Sequence, residues 1–154
     1  MPEQQDMNPS ARPKVIITGA AGNIGQALTR TLRANYTVIS LDRKTSDEAD
    51  ASYEFDLTSL DSVSKAIEKI TQQFGKHFAA VIHLAAYFDF TGEQSPLYDK
   101  VNVQGTKNLL QALQTCEVER FVYSSTMLVH KPGKPGTKTT EDTPLEPGWA
   151  YPKS

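Results

Sequence analysis

The sequence predicts an α/β protein built on a doubly wound parallel sheet of about five strands. Short runs rich in Val, Ile and aromatic residues recur along the chain, separated by segments whose apolar residues lie three and four positions apart. The runs are largely apolar throughout, which is typical of strands buried on both faces. Because strands that alternate with helices are joined by right-handed crossovers, we expect a parallel sheet with helices on both faces.

Five short segments have the composition of buried strands. The first, KVIIT, is followed at once by a glycine, and the second, YTVISL, ends just before Asp42. SYEFD, AAVIHL and RFVYSS complete the set, so the predicted strands span residues 14–18, 36–41, 52–56, 79–84 and 120–125. Their β-branched and aromatic side chains fit a pleated surface.

Three amphipathic helices are predicted between the strands, because their apolar residues share one face. In the first, which begins at Gly22, these are Ile24, Ala27, Leu28, Thr31 and Leu32. In the second they are Leu60, Val63, Ile67, Ile70 and Phe74, and in the third, which begins near Pro96, Val101, Gly105, Leu109 and Leu113. From residue 131 the chain loses periodicity, which is typical of a functional or disordered loop.

Composition places the chain among globular proteins. The formal net charge is −2 and no basic run occurs, which argues against a nucleic-acid partner. Residues 1–13 are polar and proline-rich, and we expect a disordered lead that is neither a signal peptide nor a membrane anchor. We therefore expect no membrane contact and, by default, a cytoplasmic location. The single cysteine, Cys116, fits a reducing compartment and is expected to be a buried, helical, inert thiol.

Three glycines stand at the predicted turn from the first strand to the first helix. In TGAAGNIG they are Gly19, Gly22 and Gly25, each three residues apart. Such glycines allow a tight turn, a close approach of backbone to a pyrophosphate, and close packing of the helix on the strand. The helix N-terminus, at Asn23 and Ile24, offers free amides to phosphates. An ordinary glycine-rich turn is the alternative, but the strand before it and the helix after it favour a Rossmann-type dinucleotide site.

The GxxGxxG spacing resembles that of the short-chain dehydrogenase/reductase superfamily. Four further stretches sharpen the resemblance to its extended branch, the NAD-dependent epimerase/dehydratase family: DLT at 56–58, VIHLAA at 81–86, VNVQGTKNLLQAL at 101–113 and FVYSST at 121–126. They occur in the family's order. The resemblance implies an NAD(P)-binding domain over residues 14–154. Extended members add further strands and a C-terminal substrate domain, which we expect to be missing here, leaving the edge of the fifth strand uncovered and open to aggregation.

The end of the second strand favours NAD over NADP as the cofactor. Asp42 follows Gly25 by 17 residues (42 − 25), where a carboxylate can accept hydrogen bonds from both hydroxyls of the adenosine ribose. The same carboxylate would repel a 2′-phosphate. Arg43 could instead clamp such a phosphate, with help from Lys44, or be a solvated loop charge.

The resemblance assigns further residues to the cofactor. It implies that Asp56 and Leu57 meet the adenine, although Asp56 could also cap the next helix. The small-residue segment Leu84, Ala85 and Ala86 would run along the cofactor, and Asn102 would organise the active site unless it is a simple polar helix residue. The cofactor-binding residues expected from sequence are thus Gly19, Gly22, Asn23, Ile24, Gly25, Asp42, Arg43, Asp56, Leu57, Leu84, Ala85, Ala86, Asn102, Ser124 and Tyr151.

The resemblance also implies a catalytic hydroxyl residue after the fifth strand and a Tyr-x-x-x-Lys pair. Thr126 matches the hydroxyl residue, with Ser125 in reserve, and Tyr151 follows Thr126 by 25 residues (151 − 126). The tyrosine is the family's acid/base. The pKa of a free tyrosine, about 10, would be lowered by a nearby ammonium and by the nicotinamide ring.

The lysine of that pair would fall at position 155, one residue after Ser154. Lys153 is a poor substitute, because a residue two positions along a helix points away from the face of Tyr151. We therefore expect the 154-residue chain alone to bind NAD weakly and to turn over nothing.

Two functions from different classes remain open. One is an NAD-dependent dehydrogenase, epimerase or dehydratase, and the other is a non-catalytic NAD(P)-binding sensor on the same fold. The substrate would be a small molecule, either a nucleotide sugar or a hydroxysteroid-like compound. Tyr87, Phe88 and Phe90 either line its pocket or pack beneath the loop. A homodimer of the full-length protein is possible by resemblance.

The histidines add no metal site. His83 lies inside an apolar strand, where a packed structural histidine is favoured over a catalytic base. His77 and His130 lack the spacing of metal ligands, so no metal is expected.

Overall fold

The computed structural model describes residues 12–154, so most of the lead expected over residues 1–13 lies outside the described residues. The strands are β1 (Lys14–Thr18), β2 (Thr37–Asp42), β3 (Ala51–Glu54), β4 (His77–Phe78), β5 (Ala80–His83), β6 (Glu117–Val118) and β7 (Phe121–Tyr123). The helices are α1 (Asn23–Leu32), α2 (Leu60–Phe74), α3 (Thr106–Leu113) and α4 (Ala150–Lys153). A π-helical segment, Tyr98–Gly105, leads into α3, and a 3-10 turn, Met127–Val129, follows β7.

Five strands form one parallel sheet in the order β3-β2-β1-β5-β7. The order runs outward from β1 in both directions, so the predicted doubly wound α/β sheet is confirmed. The strand order reverses between β1 and β5, and ligands of such sheets bind at the carboxyl ends of the strands on either side of that point. The three residues of β7, at the edge, are all exposed.

The predicted strands exist, but several of their ends were wrong. Tyr36 donates its amide to Leu32 O (2.9 Å) and so closes the turn after α1, which delays β2 by one residue. The third strand ends at Glu54 rather than residue 56, and the fourth is shorter by one residue at each end. The last strand stops at Tyr123, because Ser125 adopts a positive φ of 49° that a strand does not allow.

Helices cover both faces of the sheet, as the alternation of strands and helices predicted. On one face Leu28 and Leu32 of α1 pack on Val15, Ile17 and Val38. On the other face α2 and α3 bury a larger cluster that includes Ile16, Ile39, Leu41, Val63, Ile67, Ile70, Leu109 and Leu113. Adjacent strand residues point to opposite faces, so the continuous apolar run of β1 serves both layers.

The structure also contains a second sheet of two strands, which the sequence analysis did not predict. His77 and Phe78 of β4 pair in parallel with Glu117 and Val118 of β6, just beyond the ends of α2 and α3. Phe78 is fully buried in the larger core cluster. This small sheet therefore ties the ends of the two helices together.

The third predicted helix begins as expected near Pro96, but its first two turns are π-helical. Gly105, at the junction, packs on Leu57, and a Cβ there would lie only 2.6 Å from Leu57 Cγ. Cys116 was expected to be buried and helical. It is instead half-buried in the turn after α3, which ends at Leu113, and burial raises the pKa of its thiol.

The segment from residue 131 to 148 is a closed loop rather than a structureless one. His130 and Leu145 form an antiparallel bridge, and the Lys131 amide donates to Pro144 O (2.8 Å). The Lys131 and Glu146 side chains form an exposed ion pair (3.0 Å) across the base of the loop. Within residues 12–154 no helix is long and apolar enough to cross a membrane.

Candidate active site

A groove of about 740 Å³ opens at the carboxyl ends of the strands, where the strand order reverses. Nine of the residues expected to bind the cofactor line it: Gly19, Gly22, Asp42, Arg43, Asp56, Leu57, Leu84, Ala85 and Ala86. They come from the last residue of β2 and from the turns after β1, β2, β3 and β5, which the parallel register brings to one edge of the sheet. The groove is large enough for a dinucleotide-sized ligand.

The structure gives a different reason for the absence of a side chain at each of the three glycines. Gly19 has a φ of +71°, and a Cβ there would lie 2.7 Å from the amide nitrogen of Ala85. At Gly25 a Cβ would lie 2.6 Å from Ala20 Cα, so this glycine lets α1 approach the turn. A Cβ on Gly22 would meet only Gly19 O, at 3.3 Å, although Gly22 lines the groove. Gly22 thus leaves open space in the groove at the start of α1.

The N-terminus of α1 faces this turn. Gly22 is its N-cap residue, and no side chain of the described residues caps it. Uncapped amides and the helix dipole favour an anion at this position. Asn23, Ile24 and Gly25, also expected to bind the cofactor, do not line the groove, and the Ile24 side chain is 65% exposed.

The Asp42 carboxylate is held by two backbone amides at the end of β2. Its Oδ2 accepts from Ala21 in the glycine turn (3.0 Å), and its Oδ1 accepts from Arg43 (2.7 Å). Each carboxylate oxygen has further acceptor capacity for a ribose hydroxyl. Arg43 and Lys44 line the same end of the groove, so a 2′-phosphate would meet charges of both signs.

Asp56 and Leu57 line the groove from the turn after β3. Asp56 Oδ1 accepts from the amide and the hydroxyl of Thr58 (2.9 and 2.8 Å). The alternative that Asp56 caps α2 is wrong, because Ser59 is the N-cap residue. The sequence reasoning missed Asn108, whose side chain donates to Leu57 O (3.0 Å); its position in the stretch VNVQGTKNLL was the available signal.

A second cavity of about 190 Å³ adjoins the groove and shares Ala85 and Ala86 with it. Both expected catalytic residues, Thr126 and Tyr151, line it, together with Ser124, Ser125, Asn102 and Lys153. The short helix α4, which carries Tyr151, packs against the 3-10 turn that Thr126 caps. The fold thus brings to one cavity two hydroxyl groups that are far apart in sequence.

Thr126 and Tyr151 have hydroxyl groups available to a ligand. Thr126 Oγ1 accepts from the Leu128 amide (3.3 Å), which leaves its own hydrogen free. In residues 12–154 no group is hydrogen-bonded to the Tyr151 hydroxyl. Ser125, with its φ of 49°, forms the strained bend that separates Thr126 from β7.

Asn102 lines the second cavity and is hydrogen-bonded to Tyr87, which lines the groove. The Asn102 residue is 7% exposed. Its Oδ1 accepts from the Tyr87 amide (2.7 Å), and its Nδ2 donates to Tyr87 O (3.0 Å) and to Ser154 Oγ (2.8 Å). It therefore holds the strand-end segment that contains Ala85 and Ala86 against the helix that carries Tyr151.

His83 is packed in the interior, as expected, and is 1% exposed. Its Nδ1 lies 2.6 Å from Thr18 Oγ1 and its Nε2 lies 2.9 Å from Thr106 Oγ1. Burial lowers the pKa of the imidazole to about 4, so the ring is neutral at pH 7. Sequence reasoning did not identify either threonine partner.

Aromatic side chains surround Tyr151. Its ring lies 4.5 Å from that of Phe88, 5.7 Å from Trp149 and 6.1 Å from Tyr98, measured between ring centroids. Phe90 packs on Phe88 at 4.7 Å and is 94% exposed. Tyr87 lines the groove, whereas Phe88 and Phe90 line neither of the two cavities and form an apolar surface beside Tyr151. That these rings line a substrate pocket stays a prediction.

The fold and its two joined cavities define a dinucleotide-binding domain of the short-chain dehydrogenase/reductase type. Comparison with known families extends this: the NAD dependent epimerase/dehydratase family matches residues 15–154, and the chain belongs to that family. The expected family is confirmed, and so is NAD as the cofactor of the family.

Two relatives show the range of the family. The 3 beta-hydroxysteroid dehydrogenase/Delta 5-->4-isomerase of Mycobacterium tuberculosis (strain ATCC 25618 / H37Rv) is 38% identical over 117 residues, covering 73% of this chain and 31% of that protein. The N-acetyl-alpha-D-glucosaminyl-diphospho-ditrans,octacis-undecaprenol 4-epimerase of Escherichia coli O157:H7 is 29% identical over 140 residues, covering 91% of this chain and 40% of that protein.

Among solved structures, the UDP-glucose 4-epimerase of Thermus thermophilus in complex with NAD matches with a TM-score of 0.77 and 26% identity, covering 91% of this chain and 46% of that one. The chain therefore spans less than half the length of each of these three proteins.

Proposed function

We propose that this chain binds NAD in the groove and carries the proton-exchange pair of a dehydrogenase that acts on a secondary hydroxyl of a hydroxysteroid-like molecule. The observation that carries the proposal is the shared wall: Ala85 and Ala86 line both the groove and the cavity of Thr126 and Tyr151. A nicotinamide at this wall would face both hydroxyl groups. A non-catalytic sensor would have no need of such a pair.

Different residues of the groove would bind different parts of NAD. The amides at the start of α1 would bind the diphosphate beside Gly22, and Asp42 would accept from the adenosine ribose. When bound, NAD supplies the hydride acceptor. Thr126 would donate its free hydrogen to the substrate oxygen, and Tyr151 would accept the hydroxyl proton as the carbon is oxidised.

The substrate class is supported by the surface around Tyr151 and by the relatives. Phe88, Phe90 and Trp149 offer apolar rings rather than charges next to the catalytic hydroxyl. Hydroxysteroid dehydrogenases are among the relatives, whereas the Escherichia coli relative is an epimerase of a lipid-linked sugar. A fused-ring alcohol fits this surface better than a nucleotide sugar does.

We further propose that these 154 residues alone do not turn over substrate. Among the described lysines only Lys153 lines the cavity of Tyr151, and its side chain is exposed. It is two residues along α4, on a different side of the helix from Tyr151. A test of the function must therefore read binding rather than turnover.

The test is a dead-end complex of NAD with a 3-ketosteroid, followed through the fluorescence of the single tryptophan, Trp149. NAD should bind the wild-type chain, and the ketosteroid should bind the NAD complex by accepting from Thr126 and Tyr151. Thr126→Val should weaken ketosteroid binding about tenfold and leave NAD affinity unchanged within about twofold. Tyr151→Phe should also weaken ketosteroid binding about tenfold, and it should lower NAD affinity by a smaller factor because Tyr151 is itself expected to contact the cofactor.

Tyr53→Phe serves as the control, because Tyr53 lies in β3 and lines neither cavity. Its hydroxyl donates to Gln73 Oε1 (2.6 Å) at the surface. This variant should change neither affinity. Lack of NAD binding would overturn the proposal as a whole. Binding of UDP-glucose, but not of the ketosteroid, to the NAD complex would overturn the substrate class.

A further inference from the structure

A buried chain of hydrogen bonds runs from the Ala85 backbone to the start of α3. The Ala85 amide donates to Thr18 Oγ1 (3.3 Å), which lies 2.6 Å from His83 Nδ1. On the other side of the ring, His83 Nε2 lies 2.9 Å from Thr106 Oγ1. Thr18 is fully buried and His83 almost so, which removes competition from water. The chain therefore links β1, β5 and α3 to one point on the wall that the two cavities share.

The direction of these hydrogen bonds follows from the donors available. An amide can only donate, so Thr18 Oγ1 is the acceptor from Ala85. The described residues provide Thr18 with no acceptor for its own hydrogen other than His83 Nδ1, so the hydroxyl donates to that nitrogen. His83 Nε2–H then donates to Thr106. The lowered pKa of His83 agrees with the neutral ring that this arrangement requires.

We propose that His83 is a positioning residue for the cofactor: acting through Thr18, it fixes the Ala85 amide and with it the wall that receives the nicotinamide half of NAD. This inference rests on the proposed function, which places the nicotinamide at the shared wall. The backbones of Gly19 and Ala85 are packed closely there, since a Cβ on Gly19 would lie 2.7 Å from the Ala85 nitrogen. A shift of Ala85 therefore moves the wall at the point where the two cavities meet, which is where the nicotinamide is proposed to lie.

A purely structural role for His83 is the competing explanation. Its ring lies 6.1 Å from that of Phe121 and 5.9 Å from that of Tyr123, so it also fills space between strands. Loss of packing would lower stability without favouring one ligand over another. Loss of positioning would act on the nicotinamide half of NAD alone.

The ratio of the dissociation constants of NAD and ADP-ribose separates these explanations, because ADP-ribose lacks only the nicotinamide. Both are measured calorimetrically on the 154-residue chain. Thr18→Val keeps the side-chain volume and removes the hydroxyl; it should weaken NAD about fivefold or more and leave ADP-ribose within about twofold. Thr18→Ser, which keeps the hydroxyl, should have the wild-type ratio of the two dissociation constants.

Changes at His83 give an independent reading. His83→Asn places an acceptor near the position of Nδ1 and should retain most of the ratio, whereas His83→Gln places its amide nearer Nε2 and should behave like Thr18→Val. Thr29→Val is the matched control: Thr29 is 2% exposed, and its hydroxyl has no partner in the described residues. It should leave both constants unchanged.

The outcomes are distinct. If Thr18→Val and His83→Gln lower stability while the ratio stays at the wild-type value, His83 only packs, and the inference is overturned. A wild-type chain that binds ADP-ribose and NAD equally well would also overturn it, because the wall would then contribute nothing to the nicotinamide. A wild-type chain that binds neither ligand would instead overturn the proposed function. Should His83→Gln not fold, the two Thr18 variants decide the question.

Discussion

Asn102 and Tyr87 form a closed pair, in which the side-chain amide of one meets both backbone groups of the other (2.7 and 3.0 Å). The Asn102 side chain thus bonds the N–H and the C=O of Tyr87 as a neighbouring strand would bond them. It fixes the segment after β5 without a strand partner. The same amide reaches Ser154, so a single residue sets the distance between the shared wall and α4.

Asn102→Ala should destabilise the fold by about 3 kcal/mol, because it leaves two partly buried backbone groups of Tyr87 without partners and removes the bond to Ser154. Urea unfolding measures the loss. Asn108→Ala is the comparison, since Asn108 makes one such bond, to Leu57 O, and should cost about 1 kcal/mol. Equal losses in the two variants would contradict the role given to the Asn102 pair.

Gly22, the N-cap residue of α1, and Gly25, in its first turn, should respond differently to alanine. Gly25→Ala forces a Cβ to within 2.6 Å of Ala20 Cα and should cost about 3 kcal/mol of stability. Gly22→Ala meets only Gly19 O and should cost about 1 kcal/mol, yet it should weaken NAD about tenfold by filling the diphosphate space. Thermal unfolding and NAD titration together check both. An alanine at position 22 that left NAD affinity intact would place the diphosphate elsewhere.

Asp42→Asn should change which dinucleotide is preferred. The amide keeps one acceptor oxygen for the Ala21 backbone but loses the charge that favours a ribose hydroxyl and repels a 2′-phosphate. NAD should weaken about tenfold, and NADP should tighten relative to it. Arg43→Ala is the paired variant and should lower only the affinity for NADP. Tighter binding of NADP than of NAD by the wild-type chain would contradict the choice of cofactor.

Stability should fall between pH 7 and pH 5 because of His83. Burial lowers the pKa of His83 from 6.5 to about 4, so the unfolded chain binds a proton that the folded chain does not. The stabilising contribution is therefore complete above the unfolded pKa and is lost as pH falls toward the folded pKa. Over this interval the loss should be about 2 kcal/mol by urea unfolding.

His83→Gln should abolish that part of the pH dependence, provided the variant folds. His77→Gln should not, because the His77 side chain is exposed and pairs with Glu119 at the surface. The same slope in both variants would assign the effect to other groups.

The sequence was informative where composition or a motif determined structure locally. The β-branched run of β1 and the glycines after it predicted both the central strand and the groove. The resemblance pairs Thr126 with Tyr151, and both residues line one cavity in the structure. Their catalytic roles stay predictions.

What could not be predicted depends on contacts between distant segments. The partners of His83 are Thr18 and Thr106, 65 and 23 residues away, and no local pattern indicates them. The positive φ of Ser125 and the π-helical start of the third helix likewise reflect tertiary constraints rather than propensity. Cys116 was misplaced because the end of α3, at Leu113, was not visible in the spacing of apolar residues.

The small β4–β6 sheet has a consequence for how the chain can be divided. It pairs residue 77 with residue 117, across the exposed loop that contains Thr91 and Glu93. A backbone cut in that loop would leave the two pieces joined by this sheet, by the β5–β7 pairing and by the packing of α2 on α3. We expect separately expressed halves to reassemble into the folded domain, because all three contacts join residues before the loop to residues after it.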